Sequence, residues 1–316
     1  TGSNTQTAVI KLCDDIRLGI DELKVTVAVF FDFSKAFDSV NHKRLLRKLL
    51  YMNFDDKALE WVRSYLGQRG QSVQSNGRFS QWREVLNGVP QSSVLGPLLF
   101  SLYISDLAKS LKCQYIFYAD DLVIYLSCHP SEINDHVALL NNEIAKIINW
   151  CKLICLKLNA SKTKAVIFGS RHRVGSDACV SAEKIVVDDC IIPYVESVEY
   201  LGVIIDNVLA WEDQVTKICN QAMRTLAQLK ISNEVFNEQL RIKLVTTLIF
   251  PIFDYCSAAL TNISNTLQLK LQRKMNSCVR FIYKISKLEH VTPFYKKLGW
   301  LKLSARRDYF IACLFF

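Results

Sequence analysis

Two adjacent carboxylates, Asp120 and Asp121, interrupt an otherwise apolar stretch from Tyr115 to Leu126, and a third, Asp32, ends the apolar run Val25 to Phe31. Neighbouring carboxylates in apolar surroundings lose hydration and repel each other. At ~4 Å and an effective dielectric of ~20 the repulsion alone is about 4 kcal/mol, so a cation is expected beside them. An Asp-Asp pair at a solvated hairpin tip is the ordinary reading. Three carboxylates brought to one point would instead suit two divalent ions held for in-line phosphoryl or nucleotidyl transfer.

The elements that must position them follow from periodicity. Residues 5 to 23 place Val9, Leu12, Cys13, Ile16, Ile20 and Leu23 at helical spacing behind Asn4 or Thr5 as cap. Val25 to Phe31 reads as a strand buried on both faces. Helices are expected at Asn41 to Met52 and Asp55 to Leu66. Two strands, Gln71 to Ser75 and Trp82 to Leu86, should flank the turn Asn76-Gly77, and a buried helix should run from Leu95 to Leu107 with Pro97 in its first turn. Tyr115 to Tyr118 and Leu122 to Leu126 form a hairpin around Ala119-Asp120-Asp121. A long helix, Ser131 to Ile154, precedes strands at Ala165 to Phe168, Lys184 to Val187 and Val198 to Ile205. From Trp211 the pattern is helical, interrupted at Pro251 and Pro293. The order from 25 to 168 is that of a βαββαβ sheet, in which the end of the first strand lies beside the second hairpin. Asp32 and the Asp120-Asp121 pair are thereby expected to meet.

Composition narrows the class. Half of the 316 residues are apolar and 22% are charged, which excludes global disorder. The net charge of +9 is concentrated between Ser264 and Arg307, where eleven Lys or Arg face the single acid Glu289. That surplus suits a polyanion. The eleven cysteines show no CxxC and no zinc spacing, as expected in a reducing compartment. The most apolar stretch, Leu244 to Leu260, is broken by Pro251 and Asp254, so no membrane span and no membrane partner are expected.

The segments VAVFFDFSKAFDSVNH (Val27 to His42), GVPQSSVLGPLLF (Gly88 to Phe100), YADD (Tyr118 to Asp121), LKLNASKTK (Leu156 to Lys164) and EYLG (Glu199 to Gly202) resemble, in order, the palm motifs of reverse transcriptases. The closer resemblance is to the jockey-type enzymes of non-LTR, LINE-like retrotransposons. NTQTAV is similar to the last finger motif of these enzymes, and the stretch from RKMNSCVRFIY to Phe310 to the segment after the thumb. The resemblance implies an α+β fold of right-hand polymerase type, with a βαββαβ palm, an all-α thumb and a helical C-terminal extension. Residues 1–24 would be the remnant of the fingers, 25–205 the palm with a finger insertion near 53–87, and 206–316 the thumb and basic extension. A chain that opens on Thr1 is expected to be a piece of a longer polyprotein, with early finger motifs and an endonuclease domain before it.

The implied activity is RNA-directed DNA synthesis from dNTPs on an RNA template, with a DNA primer or nicked target and two Mg²⁺ ions, Mn²⁺ being a possible substitute. By position, Asp32 and Asp120 would bridge the metals, with the Phe33 carbonyl and Asp121 completing the set. The N–H groups of Lys35 and Ala36 would meet the triphosphate, and Phe37 would be the steric gate against a ribose 2′-hydroxyl; a core aromatic is its plain reading. Gln91 would touch nucleotide and template, or else cap the following helix. Lys162 would protonate the leaving pyrophosphate, or else be a solvated loop lysine. Tyr200, Leu201 and Gly202 would form the primer grip. Arg273, Lys274, Arg280 and Lys284, interleaved with Phe281, Tyr283, Phe294, Tyr295 and Trp300, would track a nucleic-acid backbone with stacking platforms, or form a solvated face over core aromatics. The expected location is intracellular, in nucleus and cytoplasm, within a ribonucleoprotein.

Position 92 is Ser where the family carries Gly, a residue that permits close backbone approach or positive φ. A second reading is therefore an inactive remnant that only binds RNA or RNA/DNA hybrid. A nucleotide cyclase also sets two aspartates on a βαββαβ palm, but leaves the PQ motif, the primer-grip hairpin and the basic thumb without a role.

Overall fold

The computed structural model describes residues 4–231 and 234–314. Two compact units make up the chain, one of Gly19–Val195, the other of the residues up to Leu18 together with those from Glu196 onward. The first helix, α1 (Thr5–Asp21), is capped by Asn4, whose Oδ1 accepts the Thr7 N–H at 2.8 Å.

The apolar run becomes β1 (Val25–Phe31), every residue of which is buried. Burial on both faces is what a run of β-branched and aromatic residues interrupted only by Ala28 demands. After it come α2 (His42–Tyr51), capped by Asn41, and α3 (Asp56–Leu66), capped by Asp55. The finger-insertion hairpin differs from expectation. It is two short ladders, β2 (Gly70–Gln71) with β5 (Arg83–Glu84) and β3 (Gln74–Ser75) with β4 (Arg78–Phe79), and Trp82 lies outside all four strands. Asn76 and Gly77, both at positive φ, turn the inner ladder as type I′ geometry requires.

The expected buried helix divides into α4 (Leu95–Ile104) and α5 (Leu107–Ser110). Strands β6 (Gln114–Tyr118) and β7 (Asp121–Cys128) form the aspartate hairpin, and α6 (Ile133–Ile154) leads through the Asn159 turn to β8 (Lys164–Phe168). The sheet order is β6-β7-β1-β8, all antiparallel, with Phe31 opposite Leu122 and Phe30 opposite Lys164. This is the βαββαβ arrangement read from the sequence. Val25, Val27, Val29 and Phe31 share one core with Leu45 and Leu49 of α2, Phe100 and Tyr103 of α4, and Leu140, Ile144 and Ile147 of α6. The Tyr103 hydroxyl donates to the Ile154 carbonyl and so ties α4 to the end of α6. Short turns α7 (Arg171–Val174) and α8 (Asp177–Val180) lead to the hairpin of β9 (Ile185–Val187) and β10 (Cys190–Ile192), the second strand of which periodicity missed.

In the other unit, β11 (Ser197–Tyr200) and β12 (Val203–Asp206) make a two-residue hairpin, followed by α9 (Glu212–Ile231), α10 (Glu238–Leu244), α11 (Phe250–Asp254), α12 (Asn265–Tyr283), α13 (Thr292–Leu298) and α14 (Leu303–Leu314). Pro293 lies in the first turn of α13, where a proline lacks only an N–H that would have no intrahelical partner, whereas Pro251 follows a π-helical turn, Val245–Ile249, that joins α10 to α11 without a break. One expectation is corrected here. The segment Glu238–Ala259 is, by length and composition, long and apolar enough to cross a membrane, because it gains α10 ahead of the stretch examined from Leu244. It also carries the buried Arg241, whose guanidinium donates to the carbonyls of Ile282 and Phe236, as in a helix packed within a protein core.

Candidate active site

The site begins with the register. Phe31 pairs with Leu122, so the next residue of the chain, Asp32, falls beside Asp121 and the turn residue Asp120. Ala119, at φ 53, makes the hairpin tight enough to bring Asp120 back over the end of β1. Phe33 is buried and stacks on Phe117 of β6, which fixes the same junction from the other side.

A third segment closes the site. The Asn159 N–H donates to the Asp32 carbonyl at 2.8 Å and the Ser34 N–H to the Lys157 carbonyl at 2.8 Å. These bonds leave the carbonyl of Phe33 outside the pairing. The Lys162 N–H donates to the Asn159 carbonyl, and its ammonium lies 3.7 Å from Asp32 Oδ2. A cavity of ≈ 470 Å³ results, lined by Asp32, Asp120, Lys162, Asn159 and the run from Phe33 to Asp38, with Gln91 on its far side. Asp121 does not line it, but burial first, then Asp120 and Asp32, push its carboxyl up to about 6.

Lys35, at φ 50, turns the chain so that its own carbonyl accepts the Asp38 and Ser39 N–H groups. Neither the Lys35 nor the Ala36 N–H donates a hydrogen bond among the described residues. Phe37 lines the cavity and also stacks on Phe100 at 4.5 Å, so the core-aromatic reading and an accessible position coexist in one side chain.

Gln91 is placed by backbone pairing between its own loop and the segment after β1. Gly88 donates to the Val40 carbonyl, Val89 to the Phe37 carbonyl, and the Gly88 carbonyl meets His42 Nε2 at 2.7 Å. The Gln91 carboxamide donates to Asp38 Oδ1 at 2.8 Å. It does not cap α4: Ser93 does, accepting the Gly96 N–H at 3.0 Å. Ser92 stands at φ 56, in the left-handed region that glycine adopts without strain. Asp38 and Gln91 also line a second cavity of ≈ 440 Å³ with Arg69, Gln71, Asn87 and Pro90.

Tyr200, Leu201 and Gly202 belong to the other unit. Leu201 and Gly202, at φ 46 and 78, turn the β11–β12 hairpin, and their carbonyls accept from the Tyr255 hydroxyl and the Lys217 ammonium. In the same unit Arg280 and Lys284 line a cavity with Lys230 and Lys287, whereas Arg273 and Lys274 do not. The core-aromatic alternative holds for two of the five rings. Phe281, on the apolar stripe of α12, and Tyr295 of α13 are buried, whereas the half-buried Trp300 packs edge-on against Phe250 and the half-buried Tyr283 meets Phe294 at 4.7 Å.

Sequence reasoning missed Asp38 and Asn159, although both stand inside quoted motifs, and Lys230, which lies outside the basic segment. Only the fold shows that these side chains face a cavity.

Three acids stand together here with one lysine contact at 3.7 Å, and burial followed by the charges of Asp120 and Asp32 raises the Asp121 carboxyl. No three His, Cys, Asp or Glu side chains among the described residues converge tightly enough to hold an ion alone. Mg²⁺ requires less, since one or two carboxylates plus substrate phosphates and water complete its shell. The donor set therefore fits divalent ions bound with nucleotide, held by Asp32, Asp120 and the Phe33 carbonyl.

An antiparallel βαββαβ sheet with acids at this junction gives the class of fold, and similarity to known proteins gives the family. The model of the family Reverse transcriptase (RNA-dependent DNA polymerase) matches residues 3–205, and the chain belongs to that family. It is 30% identical over 239 residues to the probable RNA-directed DNA polymerase from transposon BS of Drosophila melanogaster, covering 72% of this chain and 26% of that protein. It is 28% identical over 214 residues to the RNA-directed DNA polymerase from mobile element jockey of the same species, covering 65% and 22%. The expected likeness to jockey-type enzymes of non-LTR elements is thus shown. The chain spans about a quarter of the length of these relatives. Among solved structures, apo telomerase from Candida tropicalis superposes with a TM-score of 0.50 at 13% identity, over 90% of this chain and 46% of that one, a likeness of fold alone.

Proposed function

We propose that this chain is the polymerase portion of a retrotransposon protein and adds dNTPs to a DNA primer on an RNA template. In this reading 25–205 is the palm with its finger insertion, residues 1–24 are the end of the fingers, and the helices from 206 onward are the thumb and a basic extension. The observation that carries it is the meeting of Asp32 and Asp120 at one cavity that Lys162 and Gln91 also line, with Asp121 close enough for both charges to raise its carboxyl.

When bound, two Mg²⁺ ions would supply Lewis-acid stabilisation of the nucleotide phosphates and of the primer hydroxyl. The chain's own groups do the rest. Asp32 and Asp120 hold negative charge at the cavity floor, and the free N–H groups of Lys35 and Ala36 offer donors to the triphosphate oxygens. Lys162, tethered through the Asn159 turn to the Asp32 carbonyl, carries the proton that the departing pyrophosphate takes up. Phe37, braced by Phe100, presents a fixed ring where a ribose 2′-hydroxyl would lie. Tyr200, Leu201 and Gly202 serve as the primer grip.

The test is Mg²⁺-dependent extension of a DNA primer on an RNA template by this chain and by Asp120→Asn. Extension that disappears in the variant supports the reading. Extension indifferent to Asp120 overturns the assignment of this site, and hybrid binding without any extension overturns the reading in favour of the remnant that only binds.

A further inference from the structure

The helical unit carries a basic cavity that the polymerase chemistry does not use. Lys230 at the end of α9, Arg280 and Lys284 at the end of α12, and Lys287 in the following loop line a space of ≈ 460 Å³, with Ser277 on its wall and Phe281 in its floor. No carboxylate lines it, and none of the four cations forms an ion pair among the described residues.

The arrangement is built, not incidental to a flexible tail. Lys284 takes the left-handed conformation at φ 53 and reverses the chain, its N–H bonded to the Arg280 carbonyl. Arg280 then donates to the carbonyls of Ser286, Lys287 and Glu289 at 3.1, 3.2 and 3.3 Å, which folds the loop back and delivers Lys287 to the cavity. Helix C-termini attract cations, and two helices end here. Their dipoles together are equivalent to about one negative charge, against four positive side chains, which leaves about three positive charges over a single cavity.

We infer that this cavity is a phosphate-binding site for a nucleic-acid strand, gripping consecutive phosphodiesters without reading bases. The choice of nucleic acid rests on the polymerase reading above and on charge complementarity; the cation set itself does not. Sequence independence follows from the chemistry, because ammonium groups address phosphate charge and offer no pattern of donors and acceptors matched to base edges.

The experiment is fluorescence anisotropy of an RNA/DNA hybrid with the full chain in EDTA, over a range of KCl concentrations. The variants are Lys230→Gln/Lys287→Gln, Lys284→Gln, and Arg273→Gln/Lys274→Gln. These lysines are exposed, so folding is retained, and circular dichroism verifies it. Each phosphate contact removed lowers the slope of log K against log[salt] by about 0.7 to 0.9. The double lysine variant is therefore expected to lose about 1.4 to 1.8 of slope, Lys284→Gln half of that, and Arg273→Gln/Lys274→Gln less than either. An unchanged slope in both lysine variants overturns the inference. So does equal loss of binding to phosphatidylserine vesicles with hybrid binding intact, which would assign the cavity to a membrane surface. Because no turnover is measured, a chain that fails to extend primers yet shows the predicted slopes overturns only the polymerase reading. One that extends primers with unaltered slopes overturns only this inference.

Discussion

The Gln91 carboxamide nitrogen lies 2.8 Å from Asp38 Oδ1, and the two residues together form the wall shared by two adjacent cavities. An ionised carboxylate only accepts hydrogen bonds, so Asp38 dictates which end of the amide it holds. The nitrogen is committed to Asp38, and Oε1 is left as the group available to a donor on nucleotide or template.

If that orientation positions the nucleotide, Asp38→Leu raises the dNTP KM with kcat little changed. One net hydrogen bond of about 0.5–1.5 kcal/mol corresponds to roughly 2- to 12-fold. Asp38→Asn restores most of the loss, since its own Oδ1 can accept from Gln91. Steady-state kinetics at saturating template and primer separate the outcomes: equal KM in Asp38→Leu and the parent would make the bond incidental.

What the sequence made legible and what it did not divides along physical lines. β1 was readable to the residue because an almost wholly apolar run of strand length has to be buried on both faces, and the βαββαβ order then brought Asp32 to the Asp120–Asp121 turn; the register itself came from the structure. The insertion hairpin was misread because its strands are two residues each, too short for a period-two pattern, and their residues are exposed. The aromatics near Tyr283 stayed open between stacking platforms and core because spacing shows that a helix face exists but not which way it turns. Lys230 and Lys287 lie 57 positions apart and meet only because two helices end at the same place.

Gly88 has a demand that no side chain meets. Its φ is +92, and a Cβ there would lie 2.9 Å from the Asp38 Cα, backbone against backbone. Gly88→Ala is expected to destabilise the chain by about 2 kcal/mol or more and to disturb the Asp38–Gln91 pair, since strain at such a position adds to the clash. Urea unfolding gives the first quantity and the dNTP KM the second. A midpoint within error of the parent would contradict the close packing.

Ser92 is the converse case, a side chain at φ 56 where glycine would be unstrained. Placing a non-glycine residue there costs about 1–2 kcal/mol, and the greater freedom of glycine in the unfolded chain returns about 0.4–1. Ser92→Gly is therefore expected to stabilise by up to about 1.6 kcal/mol, and Ser92→Val to destabilise, because a β-branched residue tolerates this region least. Chemical denaturation of the three proteins tests the order. Were Ser92→Gly the least stable, the loop conformation described here would be wrong.

Asp121 makes stability depend on pH in a direction opposite to that of a salt-bridged carboxylate. Its carboxyl is raised from 3.8 to about 6 by burial and by Asp120 and Asp32. Below pH 3.8 folded and unfolded states both hold the proton and nothing is lost. Between 3.8 and about 6 the unfolded chain releases it first, so stability falls as pH rises, and above about 6 the whole penalty is present. Discounted for its partial exposure, that penalty is about 1–2 kcal/mol. Asp121→Asn should therefore be more stable than the parent at pH 8 and indistinguishable from it at pH 3.5. A divalent cation at Asp32 and Asp120 would offset the same charge, so Mg²⁺ at pH 8 should raise the melting temperature of the parent more than that of the variant. Thermal unfolding at the two pH values, with and without Mg²⁺, checks both. A variant no more stable than the parent at pH 8 would mean that the three aspartates do not share one field.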